Sequence, residues 1–403
     1  MTNLTVGQSV TCWLPQTENW LYDQVSLLPD EIVSHVFCEI VSNLDQFPLP
    51  EGHLHSFEQV RGLRRSWDDV LRKMRLRRYH GYAESICRMT GVEVLHSHFG
   101  NTGWVDRKLA RKLGVRHVTT FYGLDVNHLP TVDPSWKTRY LDLFASVDRI
   151  LCEGPHMAGC ITALGCPEEK VQVHHLGVRV QEIAYRPRLW KRAEPLSVLI
   201  ASTFREKKGI PDAIDALGVL NREIAVDLTL VGDATHEENS QNEKRWIFEA
   251  LDRNGLRSRT RLPGYLSYAE LMREAYSHHV FMASSVTADD GDTEGGAPVS
   301  ILHMAASGMP IVATRHCDIP NLLPEDTRLA AEHDVEGLVS ELRRLVNSAG
   351  YWEAELAKAR QHIEENFNAR IQGQRLAQIY AQVVSNRTGS PTRAASSIAQ
   401  VKK

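Results

Sequence analysis

The stretch Thr287–Leu323, TADDGDTEGGAPVSILHMAASGMPIVATRHCDIPNLL, says more about the fold than any other part of the chain. An apolar run ends near Ser285, and an Asp- and Gly-rich loop follows. Pro298 then opens a helix over 298–307, where a missing N–H costs nothing because first-turn N–H groups have no partner within the helix. The apolar run PIVATR comes next and reads as a strand. Strand, loop, helix and strand in that order is the unit of a parallel α/β sheet. At the loop–helix junction Gly295, Gly296 and Ala297 carry little or no side chain. A diphosphate can therefore approach their N–H groups and the positive end of the helix. Glu294, just before them, is placed to accept hydrogen bonds from sugar hydroxyls. Taken alone, the stretch suits a capped helix behind a solvated acidic loop equally well.

The same pattern recurs upstream. In SVLIASTFREKKGIPDAIDAL, Ser197–Leu217, a buried strand runs into a loop carrying Arg205, Lys207 and Lys208, then Gly209 and a helix. Cations at a strand end, opposite a helix start, would neutralise a leaving diphosphate; a solvated basic turn has the same composition. AVDLTLVG and HHVFMASS add strands to this half. Helices are expected over 211–220, 266–276, 298–307 and 335–346. In the first half SVTCWL, VSHVFCEI, VEVLHSHF, RHVTTFYG, DRILCEG and VQVHHLGV read as strands, with helices over 104–113 and 157–164 among them. Between the halves RPRLWKRAEP is polar and proline-containing and reads as a linker. The expectation is an α/β protein of two Rossmann-like, doubly wound parallel-sheet domains facing a cleft, spanning 1–185 and 186–385. A Ser/Thr/Ala-rich tail over 386–403 would be disordered. Ligands of such sheets sit beyond the carboxyl ends of the strands.

Bulk properties narrow the class. A chain of 403 residues suits two domains. A net charge of −4 provides no field for nucleic acid. No apolar run reaches the ~18 residues that span a bilayer, and the N-terminus lacks a basic-then-apolar leader pattern. Seven cysteines without CxxC spacing suggest buried thiols in a reducing cytoplasm.

Taken together, these stretches resemble the retaining glycosyltransferases of family four, in particular exopolysaccharide and colanic-acid-type members. The segments that carry the resemblance are EKKG at Glu206–Gly209, VGD at Val231–Asp233, LPGYLSYAELM at Leu262–Met272 and EGGAPVSILHMAASGMPIVAT from Glu294 onward. In the first half they are HSHFGNTGW, FYGLDV and CEGPHMAGCITALGCPEEKVQVHHLGV. The ordered set covers roughly residues 10–385. The resemblance implies the GT-B fold and transfer of a hexose-type sugar from a UDP- or GDP-sugar to a glycan or lipid-linked acceptor, with no cofactor and no metal. It implies that Lys208 holds the donor phosphates, Glu294 the transferred sugar, Gly295 to Val299 the phosphate-binding helix start, Gly232 the nucleotide turn, and Tyr265 a place near the base. His96, His98 and Asp125 would face the cleft from the first domain, with His98 and Asp125 in the catalytic set. The sequence departs from the family at Thr203, which aligns with a phosphate-loop arginine while Arg205 lies two residues on. It departs again at His303, which aligns with a ribose-binding glutamate, and at Tyr122, which aligns with a histidine. Protonation of His303 near pH 6.5 would add positive charge beside the donor.

Other signals are weaker. Asp290-Gly-Asp292 has the form of a metal-binding DxD, but its place beside a glycine-rich helix start suits a loop shaping the cleft. His96 and His98 alternate along a strand and so share a face, without an evident third metal ligand. Arg61–Arg88 carries nine basic residues, with Leu71, Met74 and Tyr79 near helical spacing from one another. Such a helix suits an anionic membrane surface or a solvated cover on the sheet. The rival functions are a sugar-nucleotide epimerase of the same fold and a non-catalytic nucleotide-sugar-binding module.

Overall fold

The computed structural model describes residues 3–386, apart from 16–17, 61–62, 75–76, 78, 297 and 325–326. Ala297, Arg61, Arg75, Arg78 and the tail from 387 thus lie outside the described residues. The described residues form two large, wholly parallel sheets and one small two-stranded pair. The first has seven strands in the order Leu54–Ser56, Ile32–Cys38, Leu4–Ser9, Val94–His98, Arg116–Thr120, Arg149–Cys152 and Val171–Val173. The second has six: Thr260–Gly264, Val226–Val231, Leu196–Ala201, Val280–Ala283, Ile311–Thr314 and Arg328–Ala330. Each sheet winds outward from its first strand in both directions. Each therefore has a switch point beside that strand, where a crevice opens at the carboxyl ends.

The first strand begins earlier than expected. Leu4–Ser9 pairs with Ile32–Phe37 on one side and Val94–Ser97 on the other. SVTCWL contributes only the short strand Cys12–Trp13, against Ile40–Val41. Gly7 and Gln8 hide the pattern of the central strand. Gly7 is required there because a Cβ would stand 2.8 Å from the Phe37 ring. The helix Glu238–Arg253, mostly polar, also escaped the sequence pattern; it buries Ile247, Ala250 and Leu251 at helical spacing.

The connection 186–195 is mostly exposed but is anchored by two side chains. Arg188 is buried and donates to the carbonyls of Ala275, His278 and Ser307. Trp190 packs into the core of the second half. The terminal helices divide between the halves. Ile363, on the helix Trp352–Asn366, shares a core with Ile301 and Leu302. The last helix, Ala369–Ser385, crosses back to the first sheet: Leu376, Ile379 and Tyr380 pack with Val6, Val94 and Val118. The two crossings lie side by side, Val178 N–H donating to Phe367 O and Ala369 N–H to Val178 O.

Candidate active site

A cavity of about 400 Å³ opens at the carboxyl ends of both sheets and is lined from both halves. After the strand Leu196–Ala201 the chain makes a single 3-10 turn, Glu206–Lys208. It leaves through Gly209 at φ +56°, where a Cβ would lie 2.0 Å from Ser284 O. Ser284 Oγ donates to the carbonyls of Lys208 and Gly209. That contact anchors the turn, and Lys208 Nζ reaches both Glu294 carboxylate oxygens at 2.7 and 2.8 Å. Ser285 Oγ donates to Glu294 Oε1 at 2.7 Å. Burial alone would push the Glu294 carboxyl up. The Lys208 and Lys207 charges, with the Lys208 and Ser285 hydrogen bonds, overcome it and hold the group at about 2. Glu294 is therefore ionised at any working pH and stands as a fixed acceptor beside a cation.

A second layer holds the Glu294 backbone. Its N–H donates to His316 Nε2 at 3.1 Å, so the imidazole proton sits on Nδ1 and donates to Glu332 Oε1 at 2.7 Å. Glu332 Oε2 accepts the Thr287 N–H. His316 has no exposed surface. Sequence reading passed over His316 and Glu332; the signal available was that His316 follows the strand Ile311–Thr314 at its carboxyl end.

Thr203, Gly232 and Tyr265 also line the cavity. Gly232 has φ +119°, and a Cβ there would meet Ser202 O at 1.9 Å; Tyr265 Oη donates to Asp233 O. The helix Val299–Ala306 starts after Pro298 without a side-chain cap, and Pro298, Val299, Ser300 and His303 line the cavity. First-turn N–H groups without a cap suit an anion. His303 Nδ1–H donates to Val299 O, and burial pulls the imidazole down to about 4. The ring is thus neutral at pH 6, with Nε2 left as an acceptor. This corrects the expectation of a positive charge appearing there near pH 6.5.

Several expected residues stand elsewhere. Arg205 turns outward to Glu237 at 2.8 Å, and Lys207 takes its place on the cavity wall. Gly295 and Gly296 do not offer their N–H groups to a ligand: the first donates to Thr293 Oγ1, the second to Glu294 O. Their small size instead lets the halves meet. A Cβ on Gly295 would lie 2.0 Å from Gly123 Cα, and one on Gly296 would strike Glu153. Asp125 does not face the cleft. It is fully buried and accepts the N–H groups of Gly100, Tyr122 and Gly123, and burial pushes its carboxyl up to about 6 despite them. It shapes the FYGLDV loop. His98 is also fully buried, between Tyr122 Oη at 2.7 Å and Gln8 Oε1 at 3.1 Å; burial pulls it down to about 3. His96 is likewise spent on Tyr380 and Thr120. Asp292 pairs with Lys207 at 3.0 Å, and Asp290 accepts the Asp292 N–H. Among the described residues no group of three His, Cys, Asp or Glu is disposed to hold a metal.

The halves are latched beside the cavity. Asp318, from the second, accepts the N–H groups of His156 and Met157 at the start of the first half's helix Pro155–Ala163. Asn127 Nδ2 donates to Thr293 Oγ1 at 2.7 Å. No sequence pattern announced these contacts, because each joins residues more than 150 positions apart.

Comparison with known proteins agrees with this geometry. Residues 195–348 match the family model "Glycosyl transferases group 1", and residues 31–182 match "Glycosyltransferase Family 4". The chain is 30% identical over 298 residues to the putative colanic acid biosynthesis glycosyltransferase WcaL of Escherichia coli, an alignment covering 72% of this chain and 70% of that one. It is 30% identical over 294 residues to the amylovoran biosynthesis glycosyltransferase AmsK of Erwinia amylovora, with the same coverage. Among solved structures, Anabaena Alr3699/HepE in complex with UDP and glucose aligns with a TM-score of 0.75 at 14% identity, over 94% of this chain and all of that one.

Proposed function

The chain belongs to the family 4 glycosyltransferases and has their GT-B fold, and on that premise we propose that it transfers a hexose-type sugar, with retention, from a UDP- or GDP-sugar to a glycan or lipid-linked acceptor in exopolysaccharide assembly. The observation that carries this is the pairing of Lys208 with Glu294 beside an uncapped helix start, at the switch point of the second sheet. As the bond from the sugar C1 to the diphosphate breaks, negative charge grows on the phosphate oxygens. Lys208 and the first-turn N–H groups after Pro298 stabilise that charge where it develops. Glu294, ionised throughout, accepts hydrogen bonds from hydroxyls of the departing sugar and holds it against the acceptor. The acceptor proton passes to the leaving phosphate, so no protein nucleophile is required. His303 Nε2 accepts from one ribose hydroxyl, and Tyr265 lies beside the base. No cofactor and no metal take part, since cation and helix together offset the diphosphate charge.

The relatives named for colanic acid and amylovoran biosynthesis, and the fold partner solved with UDP and glucose, support the acceptor and donor classes. The site of work in this reading is the cytoplasm, at the inner membrane face. On the helix Leu63–Lys73 and just after it, Trp67, Val70 and Met74 share one side and are exposed, while Arg65 turns to the Phe57 ring. An exposed apolar side on a helix that also carries Lys73 suits an anionic lipid surface.

The test is incubation with UDP-, GDP- and ADP-sugars in excess EDTA, following nucleoside diphosphate release and sugar transfer to added glycolipid extract. Release with transfer supports the reading. Nucleotide binding without release would indicate a binding module, and conversion of one donor into another would indicate an epimerase. Activity that vanishes in EDTA and returns with manganese would overturn metal independence.

A further inference from the structure

The first half contributes a wall to the cavity that has no part in the donor site. Trp20, Phe47, Phe99 and Tyr122 line it, with Glu18 among them. The Trp20 and Tyr122 rings stand 4.4 Å apart and those of Phe99 and Tyr122 4.9 Å, so they form a continuous aromatic surface. Glu18 immediately precedes the helix Asn19–Ser26. No described residue pairs with its carboxylate, and burial pushes the group up to about 7. The contrast with Glu294 in the same cavity is direct: that carboxylate has a lysine and a serine, and among the described residues this one has neither. A partly buried carboxylate without a cation costs stability and persists where a ligand uses it.

A sugar ring offers two kinds of surface. Its axial C–H groups form an apolar face that packs on aromatic rings, and its hydroxyl edge donates hydrogen bonds. A carboxyl group accepts through its oxygens in either protonation state, so it can take hydrogen bonds from that edge. Aromatic lining with one or a few convergent polar groups is also the usual make-up of a small-molecule site. We propose that Glu18 is a ligand of the acceptor: the terminal pyranose of the acceptor glycan lies on the Trp20–Tyr122 surface and donates a ring hydroxyl to the Glu18 carboxylate. The inference rests on the transfer reading above and adds a specificity-determining residue to it. Glu18 contacts the acceptor alone and comes from the first half of the chain, whereas Lys208 and Glu294 come from the second, so the two halves of the site are separable.

The experiment uses the full chain with n-octyl β-D-glucopyranoside and n-octyl β-D-galactopyranoside as acceptor probes, below micelle formation. The donor half is filled with whichever of UDP, GDP and ADP binds. Glycoside and nucleotide affinities are measured by calorimetry on the same samples for wild type, Glu18→Gln and Trp20→Ala. The wild type is expected to bind at least one glycoside. Glu18→Gln, which keeps the volume and loses the charge, is expected to weaken that binding roughly tenfold with nucleotide affinity unchanged. Trp20→Ala is expected to weaken it at least as much. Absence of glycoside binding by the wild type, or equal binding by Glu18→Gln, overturns the proposal. Failure of the wild type to bind any of the three nucleotides overturns the donor reading instead, and the glycoside comparison still decides Glu18.

Discussion

Replacing Lys208 with alanine separates catalysis from stability in a way the pairing with Glu294 makes quantitative. A cation facing charge that grows in the transition state contributes about 3 kcal/mol, so kcat should fall roughly a hundredfold. The stability effect has its own sign. Glu294 is held at about 2 against an ordinary 4.5. A depressed carboxyl contributes stability that is present above pH 4.5 and lost as pH falls towards 2, worth at most about 3 kcal/mol. Without Lys208 the carboxylate remains buried, with the Lys207 charge still acting on it, and its pKa moves upward. Lys208→Ala should then be penalised most at neutral and alkaline pH, where Glu294 is charged, and least at low pH. Adding Glu294→Gln removes the uncompensated charge, so the double variant should regain stability at pH 8 and remain inactive. The assay pairs nucleoside diphosphate release at saturating donor with urea denaturation at pH 4 and pH 8. Turnover by folded Lys208→Ala within about threefold of wild type, together with an unchanged pH slope of stability, would refute both the phosphate assignment and the account of the ion pair.

Three further outcomes follow from the geometry. His303 is neutral down to about pH 4, so donor KM should be flat between pH 6 and 8. His303→Glu should alter KM more than kcat, because ribose contacts are alike in ground and transition states, and a wild-type KM falling steeply towards pH 6 would contradict this. His316→Ala removes the acceptor of the Glu294 N–H and should lower kcat about tenfold or more through a misplaced carboxylate; Glu332→Gln should give a smaller loss in the same direction, and kinetics unchanged in both variants would show that the relay does not position Glu294. Lys73→Glu should weaken sedimentation with anionic vesicles at low salt, the lost cation costing about 1 kcal/mol, and a wild type that ignores such vesicles would rule out the membrane face.

The two-sheet architecture was legible because it is written in local patterns. Buried strands of a parallel sheet appear as short apolar runs, and VLHSH is wholly buried even with two histidines in it. Glycines mark the turns where chains approach: Gly209 and Gly232 hold positive φ against carbonyls that would clash with any Cβ. Lys208 and Glu294 could be singled out because a basic turn and an acidic residue before a helix start are both local features. Local patterns failed where Gly7 and Gln8 broke the apolar run of a central strand.

What the sequence by itself determined, then, is the order of elements and the loops that reach the carboxyl ends of the sheets. Only the tertiary structure decided which side chains on those loops remain free for a ligand. Arg205 and Lys208 lie on one turn, but a neighbouring Glu237 claims the arginine while the lysine meets Glu294. Asp125 and His98 have the chemistry of catalytic residues and are spent on backbone N–H groups and a buried hydrogen-bond chain. Glu18, which no motif marks, acquires its character from the aromatic wall around it. The physical reason is common to all of them. A polar group's role depends on whether burial leaves it a partner, and these partners lie up to 90 residues away along the chain.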